Sequence, residues 1–99
     1  MILKLWRLTK MRIKKLGANK TLLSFPHSET LREVFVSYET PVAARFKNGD
    51  CFRTNYNHSR TTQKQITQYY SWVEDKSTIK ECEQSYLDKM LDCLIYYGG

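Results

Sequence analysis

No aspartate or glutamate occurs before Glu29. That absence divides the chain. Residues 1–28 carry Lys4, Arg7, Lys10, Arg12, Lys14, Lys15 and Lys20, a charge of +7; the remaining nine basic and ten acidic residues give −1, for +6 in all. Residues 65–99 hold three lysines against six acids, so the far end is mildly acidic. A basic front draws phosphate backbones, anionic lipid or an acidic protein face. It excludes inhibition by phosphate mimicry.

Glycine and proline are sparse, at four and two residues. Only Gly17 and Gly49 lie inside the chain, which excludes a glycine-rich phosphate loop. The three cysteines, Cys51, Cys82 and Cys93, are odd in number and show no C-x-x-C spacing. They exclude a disulfide framework and fit a reducing, cytoplasmic compartment. Two scattered histidines complete no zinc spacing, so neither metal nor cofactor is expected. No apolar run approaches the roughly 20 residues of a membrane span. Charge interrupts residues 1–7, so no secretory apolar stretch is expected there.

Aromatic residues are plentiful, with seven Tyr, four Phe and two Trp among 99 residues. A chain this short forms one domain with a single modest core, and large rings supply area to it. Tyrosine also suits half-buried rims and binding faces.

Periodicity places the elements. Residues 1–10 are expected to be poorly ordered. Residues 11–16 read as a strand, turned by Gly17-Ala18-Asn19-Lys20 into a second strand over 21–25, although a helix over 1–16 capped by Gly17 fits the same apolar positions. Residues 33–38 alternate, with Val34, Val36 and Tyr38 on one face and Phe35 on the other. Pro41 marks a strand start or an edge. Asn48-Gly49 reads as a two-residue type I′ hairpin loop. That register pairs Lys47 with Asp50, Phe46 with Cys51, Arg45 with Phe52 and Ala44 with Arg53. Arg45 then rests on the Phe52 ring on an exposed sheet face. Ile66, Tyr69, Tyr70 and Val73 form a helical stripe, with Thr62 and Gln65 as a capping box and a start near residues 60–62. Thr78 and Glu81 suggest a second box opening a helix over 78–97, in which Cys82 and Cys93 share one core-facing side. The expected fold is α+β: an antiparallel sheet of about four or five strands, with two C-terminal helices on one face.

The richest polar segment is residues 53–64. Helix N-terminal amides, Arg53, Arg60 and Lys64, the donors Asn55, Ser59, Thr61 and Thr62, and the flanking Tyr56 and His58 compose a candidate anion or partner site. The same Ser and Thr residues are equally the types that cap helices. No carboxylate stands near His58 in sequence to orient it, so no catalytic residue is expected. The hairpin face with Arg45 and Phe52, and the front with Arg7, Lys10, Arg12, Lys14 and Lys15, extend the candidate surface. Arginine interleaved with aromatic rings suits nucleic acid.

Two motifs stand out: Ser37-Tyr38-Glu39-Thr40-Pro41-Val42-Ala43 and Tyr56-Asn57-His58-Ser59-Arg60-Thr61-Thr62. Together they resemble a pattern in a family of small, uncharacterised phage and prophage proteins. There Ser-Tyr-x-Thr-Pro-Val-Ala precedes a short hairpin, and Ser-x-Thr-Thr then opens a helix bearing an aromatic, here Trp72. The likeness covers residues 34–72. Where that pattern has a His-Ile pair, this chain has Gln65-Ile66. The resemblance implies a non-enzymatic accessory protein in the cytoplasm of an infected or lysogenic host cell. Its expected partner is a host protein, or a protein–nucleic acid complex, that handles nucleic acid or acts in defence, and binding would inhibit it. Direct binding of DNA or RNA is the alternative.

Overall fold

A computed structural model describes residues 11–97, with side chains described as far as Asp92. The expected positions Arg7 and Lys10, the order of residues 1–10 and the side chain of Cys93 lie outside the described residues.

Six strands form one sheet in sequence order: β1 (Arg12–Gly17), β2 (Lys20–Ser24), β3 (Leu31–Ser37), β4 (Thr40–Phe46), β5 (Cys51–Thr54) and β6 (Ile79–Cys82). β1 to β5 are antiparallel neighbours, and β6 joins β5 in parallel. Parallel pairing needs a long crossover, which α1 (Arg60–Tyr69) and a 3-10 turn (Lys76–Thr78) provide. α2 (Gln84–Tyr97) follows β6. The class is α+β as expected, but the sheet has six strands in place of four or five, and β6 makes it mixed where an antiparallel sheet was expected.

The helices cover opposite faces, which corrects the one-face expectation. Under α2 lie Leu23, Phe25, Leu31, Val34, Val36 and Ala44, closed by Leu87. Under α1 lie Phe35, Val42, Ala43 and Cys51, closed by Ile66 and Tyr70. Strand β3 shows why two layers are needed: Leu31 and Val34 to Ser37 are buried, so both of its faces need cover. Each fully buried side chain of this size stabilises by roughly 1.5–3 kcal/mol.

β1 and β2 form the expected hairpin, with Asn19 at φ 62° in its turn. Pro41 enters β4 where the register shifts between Phe35 and Val36. At such a bulge a missing N–H breaks no ladder. The bulge also lets Val42 and Ala43 both join the core under α1.

The β4–β5 hairpin departs from expectation by one residue. Ala43 faces Arg53, Ala44 faces Phe52 and Arg45 faces Cys51. The Phe46 amide donates to the Asp50 carbonyl at 2.9 Å and the Gly49 amide to the Phe46 carbonyl at 3.1 Å, leaving a three-residue loop. Gly49 alone takes positive φ, at 100°. Asn48 instead accepts the Asp50 amide at 2.9 Å. Asn-Gly fits both loop types, because each needs glycine at the left-handed position. A slip of one residue exchanges faces, so Arg45 points under α1 and Phe52 under α2. The expected Arg45–Phe52 contact does not form. Arg45 lies 4.5 Å from the Trp72 ring centroid, and Lys80 lies 5.5 Å from that of Phe52.

The second expected capping box also gives way. Residues 79–82 form β6, and Cys82 sits at its end with Sγ 3.4 Å from the Arg53 carbonyl; burial pushes its thiol pKa up. Ile79 and Cys82, three apart, fit a helix stripe as well as a short strand, and the parallel partner that decides the matter lies 28 residues away by register. Asp75 caps the 3-10 turn by accepting the Ser77 amide at 3.0 Å.

Two tyrosines anchor α1. Tyr70, 1% exposed, offers its hydroxyl to the carbonyls of Phe52 at 2.7 Å and Ala44 at 3.1 Å, bridging β4 and β5. Tyr69 stacks on Phe35 with centroids 4.7 Å apart and donates to Glu33. Burial first, then Glu33 for Tyr69, raises both hydroxyls above the ordinary tyrosine range. The folded state therefore holds these protons more tightly than the unfolded chain. Their contribution is intact below the unfolded pKa of 10.0 and falls away as pH rises above it. Unfolding free energies from urea titrations between pH 9 and 11 are expected to fall above about pH 10, by up to roughly 1.4 kcal/mol per pH unit for each tyrosine. Tyr69→Phe should remove about half of that slope.

Candidate functional site

The 53–64 segment leaves the sheet at the end of β5 and enters α1, so strand and helix fix its two ends. The Asn55 amide donates to the Cys82 carbonyl at 2.8 Å, and the Tyr56 amide to Thr54 Oγ1 at 3.1 Å. Ser59, in extended conformation, is the N-cap and accepts the Thr62 amide at 3.1 Å. The helix starts where expected, but the cap is Ser59 and not Thr62.

Thr62 and Gln65 are buried, and their bonds form a chain. Ser59 Oγ donates to Thr62 Oγ1 at 3.1 Å. Thr62 Oγ1 lies 3.0 Å from Ser37 Oγ, whose own proton goes to Gln65 Oε1. With that proton committed, Thr62 is the donor to Ser37. Every hydroxyl thus gives one proton and receives one, from Ser59 through Thr62 and Ser37 to the Gln65 carbonyl. The chain joins the two sequence motifs: Ser37 belongs to the first, Ser59 and Thr62 to the second.

Arg53 turns away from the helix mouth. Its guanidinium donates to Gln63 Oε1 at 2.5 Å and to the Thr54 carbonyl at 3.3 Å. His58 packs on Tyr56, centroids 4.6 Å apart, and its Nε2 is 2.7 Å from Gln84 Oε1. The Gln84 amide nitrogen donates to the Pro41 carbonyl at 2.7 Å and to Asp88 at 3.0 Å, which fixes Oε1 as an acceptor. His58 must therefore carry its proton on Nε2. It ties the segment to the first turn of α2.

So Arg53, His58, Ser59 and Thr62 spend their polar groups on the fold. Asn55, Tyr56, Asn57, Arg60, Thr61 and Lys64 face solvent, and Tyr56 is 59% exposed. Arg60 and Lys64 border a shallow depression along α1. Far across the sheet, every residue of β1 is exposed, including Arg12, Lys14 and Lys15. Ile13 and Leu16 stand among them at 64% and 42% exposure. The described part of the basic front, on β1, and the 53–64 segment are thus separate surfaces.

One cluster escaped sequence reasoning. Glu33 lies 3.3 Å from Arg45, which sits over Trp72, and Tyr69 donates to the same Glu33 oxygen. Burial alone would lower the Arg45 pKa, but Glu33 raises it above the ordinary value. Glu33 and Arg45 are direct cross-strand partners, a signal that the correct register would have supplied. No group of three or more potential metal ligands gathers among the described residues.

Residues 11–89 match DUF8033, a family of unknown function, and the chain belongs to it. The match spans both motifs, the whole sheet and the start of α2. No curated protein and no solved structure matches the chain.

Ser37→Ala would leave Thr62 and Gln65 without buried partners. It is expected to cost about 1–3 kcal/mol, read from urea unfolding, and to speed amide exchange in the first turn of α1 ahead of the sheet. Exchange that rises uniformly would deny the hydroxyl chain its local role.

Proposed function

We propose that this is a non-enzymatic accessory protein that binds an acidic partner surface through its β1–β2 hairpin. Its partner, on this reading, is a host protein that handles nucleic acid or serves in defence, and binding inhibits it. No helix among the described residues is long and apolar enough to cross a membrane.

The exposure of β1 carries the reading. Among the described residues this strand ends the sheet, and all six of its residues face solvent. Edge strands with free backbone groups invite pairing, and lysines on them repel like-charged copies. Arg12, Lys14 and Lys15 discourage a second β1 while attracting a carboxylate-rich segment. Ile13 and Leu16 offer side-chain contacts on the two sides of such an added strand. Binding is favoured over catalysis because His58 and the Ser37–Thr62 hydroxyls are engaged in the fold.

Direct nucleic-acid binding is the second reading, favoured by exposed Tyr56 near Arg60 and Lys64. Stacking on Tyr56 with phosphate held by the cations is the relevant chemistry.

A photo-crosslinker at Ile13 in the host cell separates the two. Capture of one protein, abolished by Lys14→Glu with Lys15→Glu, is the expected result, with circular dichroism unchanged because both lysines are exposed. Crosslinks to nucleic acid alone, together with a salt-steep mobility shift, would replace the first reading with the second.

A further inference from the structure

At the end of the molecule away from the 53–64 segment, an open cleft of about 450 Å³ lies beside the β4–β5 hairpin. Phe46, Phe52 and Tyr86 line it, with Glu29 and Asp50 on the rim. The Phe46 and Phe52 rings meet edge to face at 5.4 Å, and Phe52 and Tyr86 are 6.1 Å apart. Phe46 and Phe52 are half-buried, and Tyr86 is 46% exposed. The combination is specific: negative ring faces beside carboxylates, in a chain whose net charge is positive.

Lys80 shows what this surface attracts. Its ammonium stands 5.5 Å from the Phe52 centroid and 3.5 Å from Asp50 Oδ1. The chain's own cation is thus held by a ring and a carboxylate that both line the cleft. Its side chain remains 57% exposed and stands beside the cleft, outside the residues that line it. Asp50 is oriented by its neighbours: its amide donates to Asn48 Oδ1 at 2.9 Å, and Asn48 Nδ2 donates to Asp50 Oδ2 at 3.3 Å. The three-residue loop therefore aims the carboxylate beside the rings.

We propose that this cleft binds the arginine side chain of a basic peptide segment. The planar guanidinium stacks against Tyr86 and Phe52, and its N–H groups donate to Asp50 and Glu29. Charge complementarity selects this occupant: aromatic faces and carboxylates both favour a cation, and a planar one matches ring and carboxylate at once. The site is independent of the β1 surface, so either can fail alone.

Titrating the full chain with a Gly-Ser peptide bearing one arginine, and with the same peptide bearing citrulline, tests this. Amide NMR shifts at Phe46, Asp50, Phe52 and Tyr86 that saturate for arginine and not for citrulline are expected. Asp50→Asn and Tyr86→Ala, both at accessible side chains, should each weaken binding by about threefold or more. Lys80→Ala is the decisive variant. Removing the resident cation should tighten binding by about two- to fivefold. Equal shifts with citrulline, no shifts, or weaker binding by Lys80→Ala would overturn the proposal. Shifts of the same amides on concentrating the protein alone would overturn it in favour of a second copy as occupant.

Discussion

Helix α1 is fastened to the sheet by a line of hydroxyls in which each proton has one destination. Ser59 gives to Thr62, Thr62 to Ser37, and Ser37 to Gln65. Such a line is stable when complete and costly when broken, because Ser37, Thr62 and Gln65 are buried away from water. Much else follows from it. The crossover that permits β6 to pair in parallel runs through α1, so β6 and then α2 are placed downstream of this fastening. Tyr70 and Tyr69 reinforce it from the other end of the helix, through the Phe52 and Ala44 carbonyls and through Glu33. The polar residues that look most reactive in sequence are the ones that hold α1 in place.

Around that committed centre, two of the exposed surfaces among the described residues are chemically opposite. β1 presents cations and two apolar side chains at one edge of the sheet. The cleft beside the β4–β5 hairpin presents rings and carboxylates, on the face under α2. The two surfaces have opposite charge preferences, and neither uses the hydroxyl chain.

Local signals were legible where near neighbours decide the structure. The β1–β2 hairpin, the alternation of β3 and the start of α1 depend on turn residues, pleat and cap, all within a few positions. The faces of Val34, Val36 and Phe35 came directly from period two, whereas Tyr38, read onto the face of Val34 and Val36, lies past the end of β3 at φ 58° and is exposed. The β4–β5 register was not legible, because Asn-Gly serves both a two-residue and a three-residue loop. That single residue moved Arg45 from Phe52 to Glu33 and Trp72. β6 was illegible for another reason: four residues with apolar side chains three apart satisfy either period, and only Cys51 to Thr54 alongside select the strand. In the 53–64 segment the residue types were recognised, but their direction was not. Whether Arg53 points to a ligand or to Gln63 depends on where α1 sits.

The sequence by itself determined the α+β class, the basic front and the hairpin-rich first half, because composition, charge and short-range periodicity are properties of the chain alone. Tertiary structure decided the rest. It put the helices on opposite faces, since β3 is apolar on both sides and needs two covers. It turned Thr62 and His58 from candidate ligand groups into internal partners, since a shielded hydroxyl or ring nitrogen must find its bond within the fold. It gathered Phe46, Phe52, Tyr86 and Asp50 around one cleft, a grouping across strand, loop and helix that no spacing along the chain could announce.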